Sequence, residues 1–217
     1  MDKNLSEIVK RQLDRVKEAL EKNNMNVYIA RNKEEACEIA VSLMKEGALV
    51  ASGGSMSLEE CGMMEILRSG KYDYLDREKA TDRKEFFRKS FCADFYLTSS
   101  NAITENGELY NVDGNGNRVA CLCSGPEKVI VIAGRNKIVK DLEEAQNRVK
   151  RVAAPANCQR LTCDTYCSKT GICMGADKGM TDGCKGVGRI CSSYVISAYQ
   201  RNKERMNVIL VNEELGY

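Results

Sequence analysis

The sequence predicts an α/β fold in which a mainly parallel, Rossmann-like sheet is covered by helices on both faces. Short apolar runs that suit buried strands occur at residues 48–51, 128–133 and 207–211. Segments with helical periodicity separate these runs along the chain. Strands that alternate with helices are typical of parallel sheets, whose strands are buried on both faces.

The N-terminal part of the chain predicts a helix, a strand and a second helix. Apolar residues recur with helical spacing at Leu5, Ile8, Val9, Leu13, Val16 and Leu20. They predict a helix that packs on the domain with one face. Residues 26–30 predict a short strand. Asn32, with Glu35 three positions later, indicates the start of a helix that should run to Lys45 and end at Gly47.

A loop rich in glycine and serine follows the strand at residues 48–51. It reads Ser52-Gly53-Gly54-Ser55-Met56-Ser57, and Ser57 with Glu60 has the spacing of a capping box for the next helix. Glycines let a ligand approach the backbone, while serine hydroxyls and the free N–H groups of a helix start suit a phosphate or carboxylate. The loop matches neither a Walker motif nor Gly-x-Gly-x-x-Gly. The alternative is a tight turn that needs small residues.

The remaining elements continue the alternation of strands and helices. Residues 72–75 and 93–97 fit strands, and the charged segment 77–90 between them fits a helix. The clearest buried strand, 128–133, is followed by an amphipathic helix at residues 138–152.

A second polar stretch covers residues 98–118 and is dense in Ser, Asn, Asp and Gly. Such density at the end of a strand is typical of a site loop. Glu105 is a candidate base or nucleophile, and Arg118 a candidate carboxylate clamp. The alternative is two hairpins with Asn-Gly and Asp-Gly turns, and Asn106-Gly107 carries a hairpin signal.

Composition limits the class of protein. A length of 217 residues fits one domain. The 33 basic and 31 acidic residues are interspersed, which argues against nucleic acid as a partner. The charged N-terminus is no signal peptide, and no apolar run reaches the roughly 18 residues of a membrane span. We therefore expect a cytoplasmic protein with reduced thiols. Because the sequence contains no histidine, proton transfer must use other side chains.

The 11 cysteines fall into two groups. Five are scattered in apolar contexts, where core packing is the expected role: Cys37, Cys61, Cys92, Cys121 and Cys123. Six crowd into residues 158–191. An odd number of cysteines without an export signal argues against a disulfide framework.

The crowded cysteines predict a metal centre. The candidate ligands are Cys167, Cys173, Cys184 and Cys191, with Cys163 and Cys158 as alternates. Four thiolates with no histidine suit iron–sulfur ligation or a Cys₄ zinc site. The spacings lack the tight paired knuckles of zinc ribbons, so an iron–sulfur cluster of the 4Fe-4S type is favoured, with zinc as the alternative. Free thiols in a loop are the other possibility, although the glycine-rich segment contains little apolar core to hold it together.

Taken together, these stretches resemble the LUD-domain family, the lactate-utilisation proteins. The most specific segments are residues 100–107, 111–120 and 134–139, and the resemblance extends from the first helix to residue 217. The cysteine segment resembles a branch of the family with a C-terminal four-Cys motif. We expect a single LUD domain over residues 1–217, with a Cys-rich insertion at about residues 158–192.

The resemblance implies a ribose-5-phosphate-isomerase/CoA-transferase-like fold. In that superfamily a Gly/Ser loop and a Glu-bearing loop form the ligand site, here residues 52–57 and 98–107, with Glu105 as the candidate catalytic residue. The expected ligand is a small anionic metabolite, either a carboxylate or a phosphate. The candidate ligand-binding residues are Ser52, Gly53, Gly54, Ser55, Ser57, Asn101, Asn106, Gly107, Asp113, Gly114, Asn117, Arg118, Asn136 and Lys137.

The family also implies a role in oxidising lactate to pyruvate alongside iron–sulfur partner proteins. We therefore predict a protein of 2-hydroxy-acid oxidation that holds an iron–sulfur centre. Two other classes remain open. One is a non-catalytic small-molecule sensor or assembly subunit. The other is an isomerase or transferase of the parent superfamily, with Glu105 as nucleophile or base.

Overall fold

The structure, a computed structural model, describes residues 2–217 and confirms the predicted α/β class. The strands are Asn26–Ala30 (β1), Leu49–Ser52 (β2), Asp73–Leu75 (β3), Phe95–Thr98 (β4), Ala102–Thr104 (β5), Leu109–Asp113 (β6), Lys128–Gly134 (β7), Ile138–Val139 (β8), Ser193–Ser197 (β9) and Met206–Val211 (β10). The α-helices are Lys3–Lys22 (α1), Lys33–Leu43 (α2), Met56–Glu60 (α3), Met63–Arg68 (α4), Arg83–Phe91 (α5), Asn117–Cys123 (α6), Leu142–Arg148 (α7), Ala154–Arg160 (α8) and Tyr166–Thr170 (α9).

Six strands form a parallel sheet in the order β1-β10-β7-β4-β2-β3. The packing of strand β7 explains why its sequence is apolar throughout. Ile130 and Ile132 join the core formed with α2, α3 and α4, whereas Val129 and Val131 join the core formed with α1 and α6. Successive side chains of a strand point to opposite faces, so a strand covered on both faces needs an unbroken apolar run.

A second sheet of four strands has the order β8-β5-β6-β9. Strands β5 and β6 form the hairpin predicted at Asn106-Gly107, and Gly107 adopts a φ of +82° in its turn. The side-chain amide of Asn23, which follows α1, donates to the carbonyls of Asn106 and Gly107 at 3.0 and 2.8 Å. The hairpin tip is therefore docked on the end of α1.

Three helix boundaries differ from the sequence prediction. Helix α2 ends at Leu43, two residues before the predicted Lys45. Helix α5 begins at Arg83, because Asp82 caps it by accepting from the backbone N–H groups of the first turn. Residues 138–139 pair with β5 as β8 rather than opening a helix, and α7 starts only after the cap Asp141. Beyond α7 the helix continues through a π turn, Val149–Ala153, directly into α8.

The predicted capping box at Ser57 and Glu60 is wrong. Helix α3 has Ser55 as its N-cap, and Ser57 lies fully buried inside the helix. The Ser57 hydroxyl donates to the carbonyl of Leu215 at 3.0 Å, and Glu60 accepts from the N–H of Gly216 at 2.6 Å. Both side chains hold the C-terminal tail against α3 instead of capping the helix.

The first helix, α1, has the predicted position, but its apolar stripe is only partly covered. Leu13, Val16 and Leu20 are buried, whereas Leu5 and Ile8 remain 53% and 59% exposed. Within residues 2–217, no helix has the length and apolarity needed to cross a bilayer.

The cysteine-rich segment leaves the domain after α8 and returns through β9, a strand that the sequence did not predict. Strand β9 pairs antiparallel with β6 from Ser193 to Ser197. The segment is thus fixed to the second sheet at one end and to the long α7–α8 helix at the other.

Candidate functional site

A cleft of about 190 Å³ lies at the carboxyl ends of β2, β4 and β7. Ligands of open α/β sheets bind at this edge, where the loops after neighbouring strands meet. The walls of the cleft come from the loop after β2, the Ser99–Asn101 turn after β4, the start of α6, Lys137 after β7, and the π turn with α8. The two polar loops identified in the sequence therefore do come together.

The Ser52–Ser57 loop divides its side chains between different tasks. Gly54 and Ser55 line the cleft. Ser52 turns away and shares a hydrogen bond of 2.7 Å with the hydroxyl of Tyr74. A Cβ on Gly53 would lie 3.1 Å from Arg118 and 3.0 Å from the Tyr96 hydroxyl, so this glycine makes room for neighbouring side chains. The following helix, α3, has five residues and is too short for a substantial macrodipole.

Lys137 is the buried amine of the cleft. It ends a short 3₁₀ turn after β7, is 3% exposed, and lines the cleft wall. Its Nζ donates to Ser57 Oγ at 2.8 Å and to Ser99 Oγ at 3.1 Å. Burial, assisted by the positive charges of Arg148 and Arg118, lowers the pKa of Lys137 to about 7. A large fraction of this amine is therefore uncharged at neutral pH.

This pKa predicts a pH dependence of stability. The unfolded chain keeps the Lys137 proton up to about pH 10.4, whereas the folded chain loses it above about pH 7. Between these values the unfolded state binds more protons, so stability rises with pH. We expect the free energy of unfolding of the parent, minus that of Lys137→Met, to increase by up to about 1 kcal/mol per pH unit from pH 7 to 9. Urea unfolding of both proteins measures this difference, and a constant value across the range would contradict a depressed pKa.

Arg118 lines the cleft, but its guanidinium is occupied by the protein. Nη1 donates to Ser99 O at 3.1 Å and to Asn111 Oδ1 at 2.6 Å, while Nη2 donates to Asn101 Oδ1 and Val112 O at 2.9 Å each. The structure therefore corrects the expectation of a free carboxylate clamp. Arg118 joins the turn after β4 to the end of β6, and so fixes the shape of the cleft.

Asp113, which lies beside Arg118, also fixes the shape of the cleft. Its carboxylate accepts from the N–H groups of Asn115, Gly116 and Arg118 at 3.0–3.1 Å, which closes the turn that leads into α6. Asn101, Gly114 and Asn117 also line the cleft, as predicted for ligand-binding residues. Gly114 allows close packing, because a Cβ there would lie 3.1 Å from the Cα of Ile190.

The hairpin tip carries three of the predicted site residues away from the cleft: Glu105, Asn106 and Gly107. Strand β5 carries them to the hairpin tip, where Glu105 accepts from Gln12 Nε2 at 2.8 Å and lies 3.8 Å from Arg15 of α1. The predicted catalytic role of Glu105 therefore does not fit its position. The local sequence could not reveal that three strand residues would separate Glu105 from Asn101.

Asn136 also has a structural task. Its side chain donates to the carbonyl of Gly216 at 2.8 Å and accepts from the N–H of Leu215 at 3.1 Å. These bonds, with those of Ser57 and Glu60, hold the C-terminal tail beside the cleft. The terminal residue Tyr217 consequently forms part of the cleft wall.

The sequence analysis missed two basic residues of the cleft, Arg77 and Arg160. Arg77 reaches the cleft from the loop before α5, with its Nη1 3.4 Å from where a Cβ on Gly54 would lie. Arg160 ends α8 and donates to Asn157 Oδ1 at 2.7 Å. The described walls thus carry four basic side chains against one acidic side chain, Asp113, whose oxygens are already bonded. Lys137 is largely uncharged at neutral pH, but the three arginines outweigh Asp113, so the cleft favours an anionic ligand.

Beyond Gly54 and Arg77, a smaller chamber of about 100 Å³ adjoins the cleft. Three of the four phenylalanines of the chain, Phe86, Phe87 and Phe91, line it. The phenol of Tyr96 contributes a further wall. An apolar group attached to an anion in the cleft would find aromatic surface there.

The cysteine-rich segment forms a second cavity. Five thiols line one pocket of about 20 Å³ between that segment and the α7–α8 helix: Cys158, Cys167, Cys173, Cys184 and Cys191. Cys163 is not among them. Lys150, buried on the π turn, donates to the carbonyls of Gly175 and Gly179 at 2.6 Å each and holds the segment against the helix.

The five thiols of this pocket suit a soft metal by their chemistry, but they do not form a metal site as they are placed. Within residues 2–217, no three cysteine or acidic side chains are close enough to hold one ion. The pocket has room for about one water molecule. Zinc needs four ligands at one centre and an iron–sulfur cluster needs more room, so either would require the segment to move.

Burial favours the protonated form of three of these thiols, those of Cys158, Cys184 and Cys191. It raises the pKa of Cys191 to about 12, and the nearby Cys173 and Cys167 thiols reinforce the rise. Burial likewise raises the pKa of Cys184. A bound cation reverses this preference because it deprotonates the thiols that coordinate it, so metal binding here would release protons.

The cleft and the thiol pocket share a wall. Val149, Ala154, Ile190 and Cys191 line both cavities. The two predicted sites, which come from separate parts of the chain, are therefore neighbours in space.

Comparisons with known proteins agree with this fold. A family model described as the LUD domain matches residues 13–211. Among solved structures, a DUF162-family protein from Deinococcus radiodurans is similar, with a TM-score of 0.54 and 15% sequence identity. That similarity covers 94% of this chain and 98% of the other, and at such low identity it concerns the fold alone. No curated protein matches the chain.

Proposed function

Because the chain belongs to the LUD-domain family, which is associated with lactate utilisation, we propose that it takes part in oxidising lactate or another 2-hydroxy acid. The cleft is proposed to bind the acid as its anion. The thiol pocket is proposed to hold an iron–sulfur centre, with zinc as the alternative. Since one fold can host many reactions, the proposal depends on the site.

The observation that carries the proposal is the wall shared by the basic cleft and the thiol pocket. Oxidising a 2-hydroxy acid to a 2-oxo acid removes two electrons and two protons. The reaction therefore needs an anion-binding group, a proton acceptor beside the hydroxyl, and an electron acceptor close to both. Two adjoining cavities, one basic and one lined by thiols, support this proposal.

Each requirement corresponds to groups of this chain. Arg77 and Arg160 would bind the carboxylate. The uncharged amine of Lys137 would accept the hydroxyl proton in a protein without histidine. Cys167, Cys173, Cys184 and Cys191 would hold the cluster, which supplies a one-electron acceptor when bound. Iron–sulfur partner proteins would take the two electrons from the cluster one at a time, and the second proton, from the carbon that is oxidised, would pass to solvent water.

Purification without oxygen, followed by iron, sulfide and zinc analysis, tests the metal proposal. The same protein is then offered lactate, glycolate and a sugar phosphate, with thermal stabilisation and reduction of an artificial electron acceptor as readouts. We expect iron and sulfide together, stabilisation by the hydroxy acids, and reduction of the acceptor. Stabilisation without reduction by iron-loaded protein would favour a sensor, whereas stabilisation by the sugar phosphate alone would favour an isomerase or transferase.

Removing Arg77 should weaken the binding of a carboxylate. No hydrogen bond or ion pair occupies its guanidinium in the part of the chain described, so a ligand would be its partner. A lost charged hydrogen bond costs about 1.5 kcal/mol, and we expect the Kd of lactate or pyruvate to rise about tenfold in Arg77→Met. Calorimetric titration measures this. Arg83→Met removes the same charge outside the cleft and should leave Kd unchanged; an equal effect of both variants would exclude a direct contact.

A further inference from the structure

The amine of Lys137 has an arrangement that goes beyond accepting a proton. Its Nζ donates to Ser57 Oγ and Ser99 Oγ. The Ser57 hydroxyl gives its own hydrogen to the carbonyl of Leu215, so its oxygen must act as the acceptor toward Lys137. An uncharged amine has two N–H groups and one lone pair. Both N–H groups form hydrogen bonds here, so the lone pair of Nζ is left free.

The surroundings favour the uncharged form for geometric reasons as well. An ammonium group has three N–H groups, and both partners of Nζ are hydroxyls rather than carboxylates. The neighbouring cations Arg118 and Arg148 repel a further positive charge. Lysines that are desolvated beside another cation are the ones that act as nucleophiles toward carbonyl compounds.

The electrophile would reach this amine through the cleft. Lys137 forms part of the cleft wall, together with the basic side chains that attract an anion. A 2-oxo acid joins a carboxylate to a carbonyl carbon, so binding of its carboxylate by the cleft would bring the carbonyl carbon to the same cavity as the lone pair of Nζ.

We propose that Lys137 forms a reversible imine with a 2-oxo acid bound in the cleft, a step that rests on the proposed function for the identity of the ligand. Nζ adds to the carbonyl carbon, and a proton passes from nitrogen to the oxygen to give a carbinolamine. Water then leaves as the C=N bond forms. No oxidant or reductant is consumed, and hydrolysis returns the amine and the 2-oxo acid.

Trapping with borohydride tests the imine on the parent protein of 217 residues. Pyruvate is the probe, and hydride addition converts the imine to an N-(1-carboxyethyl)lysine that survives digestion. Peptide mass mapping should locate one such group at Lys137, with saturation as pyruvate is increased. Lys137→Met should lose this label, whereas Lys140→Arg, which alters an exposed lysine nearby, should retain it.

The outcomes separate the two proposals. Labelling of exposed lysines in preference to Lys137, or no labelling although pyruvate stabilises the parent protein, would overturn the imine and leave the proposed function intact. If pyruvate labels no lysine, and neither pyruvate nor lactate stabilises the protein, both proposals are overturned. The map on the parent protein needs no variant, so a failure of Lys137→Met to fold does not affect the test.

Discussion

Gly107→Ala is expected to lower the melting temperature by about 10 °C, since we expect a loss of about 2–5 kcal/mol, and each kcal/mol lowers the melting temperature of a domain of this size by roughly 2–4 °C. Two costs combine at this position. A non-glycine residue at a φ of +82° costs roughly 1–2 kcal/mol. In addition, a Cβ would lie 2.5 Å from the backbone carbon of Ala19 in α1. Relieving that overlap should cost about 1–3 kcal/mol more, because backbone must move.

Gly47→Ala is the matched control for this prediction. Gly47 also has a positive φ, +74°, but nothing lies within 4 Å of where its Cβ would be. Only the conformational cost applies, and we expect a decrease of about 4 °C for a loss of roughly 1–2 kcal/mol. Thermal unfolding followed by circular dichroism measures both variants. Equal decreases would mean that the hairpin tip is not seated on α1.

The second large effect concerns the thiol pocket. We expect Cys184→Ala/Cys191→Ala to lose most of the iron and sulfide that the parent retains after purification without oxygen, because two of four proposed ligands are gone. The visible absorbance of the cluster should fall in parallel. The matched double variant is Cys92→Ala/Cys123→Ala, which removes two exposed thiols outside the pocket.

Metal analysis and visible absorbance of both double variants test whether Cys184 and Cys191 bind the cluster. The control should keep the metal content of the parent. If both variants retain iron and sulfide, the cluster has other ligands; if the parent contains neither iron nor zinc, the thiols of the pocket are not a metal site. Either result would contradict the proposed centre.

The strands of the main sheet could be predicted well because their signal is local. An unbroken apolar run such as 128–133 has few other interpretations, and the observed β7 extends it by one residue. Strand β9 was missed because it is half-exposed and its apolar run, residues 194–196, is only three residues long. Its position depends on pairing with β6, which is remote in sequence.

The loops that form the candidate site could be predicted from the sequence, but the roles of their side chains could not. Ser57 has the spacing of a cap, yet the tertiary contacts with Lys137 and Leu215 determine its role. Arg118 resembles a ligand clamp until its partners across the cleft are known. Arg77 and Arg160 come from separate elements and have no motif, so only the folded arrangement reveals them.

The π turn at Val149–Ala153 has a consequence for how this chain can vary in length. A π turn accommodates one residue more than an α-helical turn, and each residue of a helix advances the following side chains by about 100°. Deleting one residue there would therefore restore a regular helix and keep Asn157 facing the cleft and Cys158 facing the thiol pocket. A residue inserted into the regular turn of α8 before Asn157 would instead rotate both side chains by about 100° and alter both cavities together. A change of one residue in length is thus tolerated at the π turn but not in the helix that follows it.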